Sequence, residues 1–410
     1  MSLRGKTIVV GITGGIAAYK MPETVRALVR AGAQVEVVLS RAAEEFVTPL
    51  TLQTLCGRPV SRSTFDLMSE SQMGHIRLAD EAHALLIAPA TANVIAKLAN
   101  GMADDLLTTV AVATRAPILV APAMNVHMYE NPIVRENIRR LADLGWTIIE
   151  PDSGFLACGY EGQGRLPDAD VLVEETERAV AKKDLAGVRV LVTAGPTWEA
   201  LDPVRHLANR SSGKMGYAVA RVARRRGAQV TLVSGPTALS APRGVEVERV
   251  VAAREMEAAV LRCAPSADVI VMAAAVGDYR SAEPVQHKIK RGRGALDLHL
   301  VPNADILARV GGLPGSRIVV GFAAETRDLI ANARRKLREK AVHLMVANDV
   351  TKEGAGFDVD TNIVSLIERT GRVQALERMS KEEVAEAVLD RVNVMRGSAA
   401  GARARGPRRR

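Results

Sequence analysis

Apolar residues in this chain fall into short unbroken runs, separated by helix-length amphipathic stretches and glycine-containing turns. "TIVVGI" near the start, "HALLIAPA" (83–90), "APILVAPA" (116–123) and "WTIIEP" (146–151) are such runs. The same texture returns in "ADVIVMAAAVGDY", "RIVVGFAAET" and "VHLMVANDV". A strand buried on both faces needs no polar alternation, so the runs read as strands of parallel sheets covered by helices. Alternation of strand and helix predicts an α/β architecture, with ligands at the carboxyl ends of the strands.

The pattern occurs twice. "LVRAGAQVEVVLS" (28–40) is echoed by "VARRRGAQVTLVSG" (222–235). Each ends a helix in basic residues, turns at Gly32 or Gly227, and enters a β-branched strand, as expected of a helix C-terminus. A strand and a glycine turn precede each echo. Two tandem doubly wound, Rossmann-like domains follow, 1–186 and 187–395, with the boundary near Ala186. Residues 396–410, "RGSAAGARARGPRRR", read as a disordered Arg-rich tail.

Composition adds bounds. The chain has 410 residues, 48% hydrophobic and 25% charged, with aromatics at only 3%. The core therefore rests on Val, Leu, Ile, Ala and Met. Net charge is +9; the tail holds six arginines, and nine minus six leaves +3, so nucleic acid is not an expected partner. Three cysteines, Cys56, Cys158 and Cys263, without a CxxC, argue against a disulfide framework and a thiolate zinc site, and fit a reducing cytoplasm. The N-terminal apolar run of about five residues reads as a strand, not a signal peptide. No run approaches the roughly 20 residues that span a bilayer.

Neither half carries GxGxxG or GxxxxGK[ST], so neither a standard dinucleotide fingerprint nor a P-loop is supported. "GITGGIAAYK" puts Gly14 and Gly15 between strand and helix, where backbone N–H groups hold a phosphate or merely make a tight turn. Thr91 and Asn93 open a helix after the third strand, and Asn125 follows the fourth. His75 stands in "GHIRLAD". Cys158, in "FLACGYEGQGRLP", is either a buried residue or a working thiol. In the second half, "SSGKMG" offers Ser211, Ser212 and Lys214 for phosphates at a helix start. Lys288, Lys290, Arg291 and Arg293 lie in a polar segment from about Asp278 to His299. It is either an exposed basic loop or a flap that closes on an anion.

Taken together, "GITGGIAAYK", "APATANVIAKLANGMADDLL", "PAMNVHMY" and "ACGYEGQGRL" resemble the flavin-dependent cysteine decarboxylases over most of residues 6–170. "DPVRHLANRSSGKMG", "AAAVGDYR", "HKIKRGRG", "NADIL", "GFAAET" and "ANDV" resemble the phosphopantothenate–cysteine ligases over roughly 187–395. Both in one chain resemble the bacterial family that fuses phosphopantothenoylcysteine decarboxylase to that ligase, for coenzyme A biosynthesis. The resemblance implies that the second half joins cysteine to 4′-phosphopantothenate through an acyl-cytidylate made from CTP. The first half then decarboxylates the product to 4′-phosphopantetheine. FMN provides the electron sink by oxidising the thiol-bearing carbon, and the protein positions and protonates.

By that resemblance, His75 positions substrate or acts as a base, Asn125 holds the substrate carboxylate, and Cys158 gives the final proton. Gly14, Gly15, Ser40, Thr91 and Asn93 fall where FMN binds. Lys288 is the cation for forming the cytidylate, and Arg205 and Asn209 serve the intermediate. Ser211, Ser212, Lys214, Asp278, Lys290 and Phe322 fall near the nucleotide, with Asp305 a candidate for Mg²⁺. Decarboxylase trimers and ligase dimers imply a homo-oligomer, plausibly a dodecamer. Two departures stand out: Tyr129 where the family often has Trp, and Leu166 where it has Met. A regulatory, non-catalytic relative would be expected to lose Asn125 or Cys158, both present here. A different flavin oxidoreductase joined to a nucleotide-binding module is disfavoured by the paired SSGKMG and KIK motifs.

Overall fold

The computed structural model describes residues 3–63, 74–155, 159–291, 295–349, 351, 354, 356 and 359–404, without the side chains of 398–404. The chain divides into two compact units, Met1–Ala181 and Lys182–Arg410.

In the first unit five parallel strands lie in the order Gln34–Leu39, Thr7–Ile12, Ala84–Ala90, Ile118–Pro122, Thr147–Ile148. In chain order this is 2-1-3-4-5, a doubly wound sheet whose direction reverses between the first and third strands. The strand Ala84–Ala90 is buried at every position. Leu86 packs with Ile8, Val10 and the helix residues Met21, Val25 and Leu28 on one face. Leu85 and Ile87 pack with Val9, Ile95 and Val110 on the other. Successive side chains of a strand point to opposite faces, so covering both faces requires the unbroken apolar run. Leu86→Ala would cost about 2–5 kcal/mol. "WTIIEP" yields only a two-residue strand, Thr147–Ile148.

In the second unit eight strands form one sheet, in the order Glu246–Arg249, Gln229–Ser234, Arg189–Ala194, Val269–Met272, Ile318–Glu325, Leu344–Asp349, Val364–Glu368, Val373–Ala375. The first six are parallel and the last two antiparallel. Counted within the unit the parallel strands run 3-2-1-4-5-6, the dinucleotide-fold order.

The sequence echo is a backbone echo. Gly32 and Gly227 both sit at φ 94°, a conformation that glycine adopts without strain. Ala33 N–H reaches the Leu28 carbonyl (3.1 Å), and Ala228 N–H reaches the Ala223 carbonyl (3.0 Å). Each helix end thus satisfies its last carbonyls in the same way.

Two expectations shift. The division falls after Ala181 rather than near Ala186. Asp184 pairs with the buried Arg226 at 2.6 Å, and the Lys183 ammonium donates to the Arg225 carbonyl, which ties this segment to the second unit. The terminal helix runs Lys381–Ala404, so helix replaces disorder over the first residues of the tail. Alanine and arginine are strong helix formers. Residues 405–410 lie outside the described residues. No helix among the described residues is long and apolar enough to cross a membrane.

Candidate active sites in the two units

At the carboxyl ends of the first and third strands, Thr13 joins two loops. Its buried hydroxyl donates to the Pro89 carbonyl (2.6 Å) and accepts from the Thr91 N–H (3.2 Å). A Cβ on the next residue, Gly14, would stand 2.4 Å from the Ala42 Cβ. Only glycine lets this loop close on the loop after the second strand. Ser40 ends that strand with its N–H on the Ile12 carbonyl (3.0 Å), and its buried Oγ has no partner. Gly15 approaches Thr91, where a Cβ would lie 3.6 Å from the Thr91 methyl. Thr91 caps the helix Ala92–Ala99 and accepts from the Val94 N–H, and Asn93 is exposed on its first turn. His75 is in the first turn of Gly74–Glu81, its buried Nδ1 without a partner among the described residues. Thr13 was missed by sequence reading, because a buried threonine at a strand end looks like ordinary core.

Asn125 caps the helix Val126–Glu130, its Oδ1 accepting from the His127 N–H (2.8 Å). Met124 N–H donates to the Gly164 carbonyl (3.0 Å), and a Cβ on Gly162 would meet Val126 at 2.8 Å. These contacts seat an antiparallel hairpin, Asp152–Phe155 with Glu161–Arg165, on the Asn125 loop. The glycine-rich stretch, loop-like in composition, is paired strand over Glu161–Arg165. Its glycines allow close approach to Val126. Cys158 itself lies outside the described residues, between the paired Phe155 and Glu161. Tyr160 packs edge-on against His127, with ring centroids 5.0 Å apart.

The two departures have local reasons. The Tyr129 hydroxyl donates to Glu150, a bond reached by a phenol at the end of its ring. Burial, then that carboxylate, push the phenol above its ordinary range. Leu166 is fully buried, where a Met-to-Leu exchange conserves volume.

The second unit holds a cavity of about 780 Å³. Asn209, Ser211, Ser212, Lys214, Asp278, Phe322 and Asp305 all line it. The helix Lys214–Arg225 begins at Gly213 with no side-chain cap, leaving N–H groups for an anion. Lys214 pairs with Asp360 (2.7 Å). Asn209 donates through Nδ2 to the Val276 carbonyl (2.9 Å). Lys336, Lys340, Asn303 and Asn362 also line the cavity. Sequence reading missed them: the lysines sit in an ordinary amphipathic helix and just beyond it, Asn303 in a loop and Asn362 in the two-residue strand Thr361–Asn362. Asn303 donates to the Gly277 carbonyl (2.8 Å) and holds the Asp278 loop in place.

Three expected residues do not reach this cavity. Lys288 and Lys290 are exposed and outside its lining, and Arg205 is engaged elsewhere, with Asp202 and the Ile289 carbonyl. Asp305 has a different task from metal binding. One oxygen caps the helix Ile306–Gly311 through the Ala308 N–H (2.9 Å), and the other pairs with Lys340. Among the described residues no group of three His, Cys, Asp or Glu is placed to hold a metal. Arg293 lies outside the described residues.

Two doubly wound domains, each with a loop cluster at the carboxyl ends of its strands, define an α/β protein with a candidate ligand site in each domain. Residues 1–181 match the family described as Flavoprotein, and residues 185–395 match the DNA/pantothenate metabolism flavoprotein C-terminal domain. The chain is 48% identical to the coenzyme A biosynthesis bifunctional protein CoaBC of Vibrio cholerae, over 95% of this chain and 98% of the relative. It is 45% identical to the Bacillus subtilis protein of that name, over 95% and 97%. A solved C-terminal domain of a CoaBC protein is 40% identical, over 53% of this chain and all of that one, with a TM-score of 0.46. The chain belongs to the family of coenzyme A biosynthesis bifunctional proteins CoaBC.

The first unit fits a flavin phosphate and ring. Gly14 lets the first-strand loop pack closely on the loop at Ala42. Among the described residues the buried Ser40 Oγ and His75 Nδ1 stand unpartnered, and such groups are costly unless a ligand satisfies them. A Mg²⁺ ion in the second unit would not find a protein cage. It fits only as a companion of the triphosphate, with Asp278 as the nearby carboxylate, since Mg²⁺ is commonly held by substrate phosphates and one or two carboxylates.

Proposed function

We propose that this chain carries out two consecutive steps of coenzyme A biosynthesis. The second unit activates the carboxylate of 4′-phosphopantothenate with CTP and joins it to cysteine. The first unit decarboxylates the 4′-phospho-N-pantothenoylcysteine to 4′-phosphopantetheine. The observation that carries this reading is the pairing, in one chain, of an unpartnered polar cradle at a flavodoxin-like switch point with a lysine-rimmed cavity at an uncapped helix.

In the ligase step, Ser211, Ser212, Lys214 and the N–H groups of the helix start receive the phosphates. Phe322 and Asp278 flank the nucleoside, and Asn209 faces the activated carboxyl. Mg²⁺ enters with CTP. A carboxylate is a poor electrophile, and its cytidylate gives cysteine nitrogen a leaving group to displace. In the decarboxylase step, FMN held by these loops would supply reversible two-electron chemistry, taking a hydride from the thiol-bearing carbon so that CO₂ can leave and returning it to the product, for a step that is redox-neutral overall. Asn125 holds the substrate carboxylate, His75 orients the reacting end, and Cys158 delivers a proton. Exposed Ile16, Tyr19 and Phe155 near these loops support burial between subunits, in trimers that ligase dimers would link into a dodecamer. The substrates place the enzyme in the cytoplasm.

The test is incubation of the purified chain with 4′-phosphopantothenate, CTP and cysteine, read by mass spectrometry. The expected products are CMP, pyrophosphate and 4′-phosphopantetheine from a yellow protein. CTP left unconsumed removes the ligase half of the reading, and accumulation of the undecarboxylated amide removes the other half.

A further inference from the structure

In the second unit, the basic segment is not free along its length. Its ends are held by the antiparallel pair Tyr279–Ser281 with Leu300–Pro302. Its middle is gripped at Ile289, the residue between Lys288 and Lys290. The Ile289 N–H donates to Asp202 Oδ2 (3.1 Å), and its carbonyl accepts from the Arg205 guanidinium (2.9 Å). Arg205 in turn donates to Asp202 Oδ2 (3.1 Å). The other carboxylate oxygen, Oδ1, accepts from the Val204 N–H (2.7 Å) and the Arg205 N–H (2.8 Å). The Asp202 side chain is wholly buried. Nearby, the Val285 N–H donates to the Leu201 carbonyl (3.1 Å).

The turn that carries Asp202 joins the strands Trp198–Ala200 and His206–Ala208. The second of these runs directly into Asn209 and the SSGKMG loop at the cavity. The grip therefore ties the lysine-bearing loop to the arm of chain that enters the site. Burial by itself would raise the Asp202 carboxyl. Donors from Val204, Ile289 and Arg205, with the Arg205 charge, outweigh it and hold the group below the usual carboxylate range. A charged acceptor of several N–H groups is among the firmer anchors a loop can have.

Resting on the ligase reading above, we propose that Asp202 is a positioning residue for the CTP-dependent step: with Arg205 it fixes both backbone polar groups of Ile289 and so sets where Lys288 and Lys290 emerge. Arg205 acts here through the loop, as part of the same clasp.

Asp202→Asn is nearly isosteric. It keeps one oxygen for the turn but replaces the other with an NH₂ that faces two donors. Ile289→Pro removes the same hydrogen bond from the loop side, at a partly exposed position whose loss cannot unfold the core. Pyrophosphate release from CTP and 4′-phosphopantothenate is measured for both. The expected result is a kcat lower by about 100-fold, the scale of a small misplacement of a catalytic group. KM for CTP should stay within about threefold, because the phosphate loop is intact. Tryptic cleavage after Lys288 and Lys290 should accelerate in Asp202→Asn. A wild-type thermal unfolding profile for both variants checks that the second unit is folded. Wild-type pyrophosphate release in either variant overturns the proposal alone, and so does a loss carried by KM. A wild-type chain that never consumes CTP overturns the proposal together with the ligase reading.

Discussion

Lys214 and Asp360 form an ion pair of 2.7 Å at the mouth of the second cavity, joining residues 146 positions apart. Lys214 opens the helix that faces the phosphates, while the Asp360 side chain is 87% exposed. A nucleotide phosphate competes with Asp360 for the same ammonium. Asp360→Asn should lower KM for CTP by about threefold, within the ~0.2–1 kcal/mol range of exposed pairs. The advantage should shrink at high salt, where such a pair is screened. Steady-state kinetics at two ionic strengths reads it; an unchanged KM at low salt would show that Asp360 does not compete.

Gly14→Ala forces a Cβ against Ala42 at 2.4 Å. Overpacking of this kind costs about 1–3 kcal/mol, and the added methyl narrows the proposed phosphate cradle. The purified variant should lose most of its yellow colour and its decarboxylase activity. CTP consumption should persist, because the change lies in the other unit and distant sites act independently. Full flavin content in the variant would move the flavin site away from this loop.

Cys158→Ser should halt the first unit after decarboxylation, with an enethiol product accumulating in place of 4′-phosphopantetheine. Serine has the reach of cysteine but is a far weaker acid than a thiol with its ordinary pKa near 8.5. Mass spectrometry of single-turnover products separates the two compounds by one reduction. Normal 4′-phosphopantetheine output would remove the thiol from the mechanism.

His343 accepts the Val319 N–H at its Nδ1 (3.1 Å), while its own N–H donates to the Val319 carbonyl (2.9 Å). Burial, then the Arg369 charge, depress its pKa below the usual 6.5. Above that value the ring is neutral in folded and unfolded chains, and the contribution is fully present. As pH falls below it, the unfolded chain takes up a proton that the folded chain refuses, so stability declines. Hydrogen exchange at the Val319 amide, corrected for its intrinsic rate, should show protection falling as pH drops below about 6.5. In His343→Asn, which keeps an acceptor without titrating, the fall should disappear.

Much of the fold was legible because it is written in local pattern. The runs at 83–90, 318–325 and 344–349 became strands, and the paired Gly32 and Gly227 became the same helix stop. The proposed site residues Gly14, Thr91, Ser211 and Lys214 stand at strand ends and helix starts, where spacing points; Ser40 is named only through the family resemblance. Asn209, Asp278 and Phe322 also reach one cavity. The misreadings have a common origin. "EGQGR" has the composition of a loop, yet its backbone pairs with Asp152–Phe155 because Val126 and Met124 offer it a seat. Asp305 has the chemistry of a metal ligand, yet a helix start and Lys340 occupy both its oxygens.

The sequence by itself determined the α/β class, two doubly wound domains in tandem, and which loops stand at the strand ends. Those properties follow from burial period, turn residues and motif order, which are local along the chain. Only the tertiary structure decided who partners whom. Thr13 bridging to Pro89 and Thr91, Asp202 holding Ile289 across 87 positions, and Lys336 and Lys340 lining the second unit's cavity are long-range pairings. A hydrogen bond depends on a few tenths of an ångström and on the angle between groups. Residue type and spacing along the sequence do not carry that geometry.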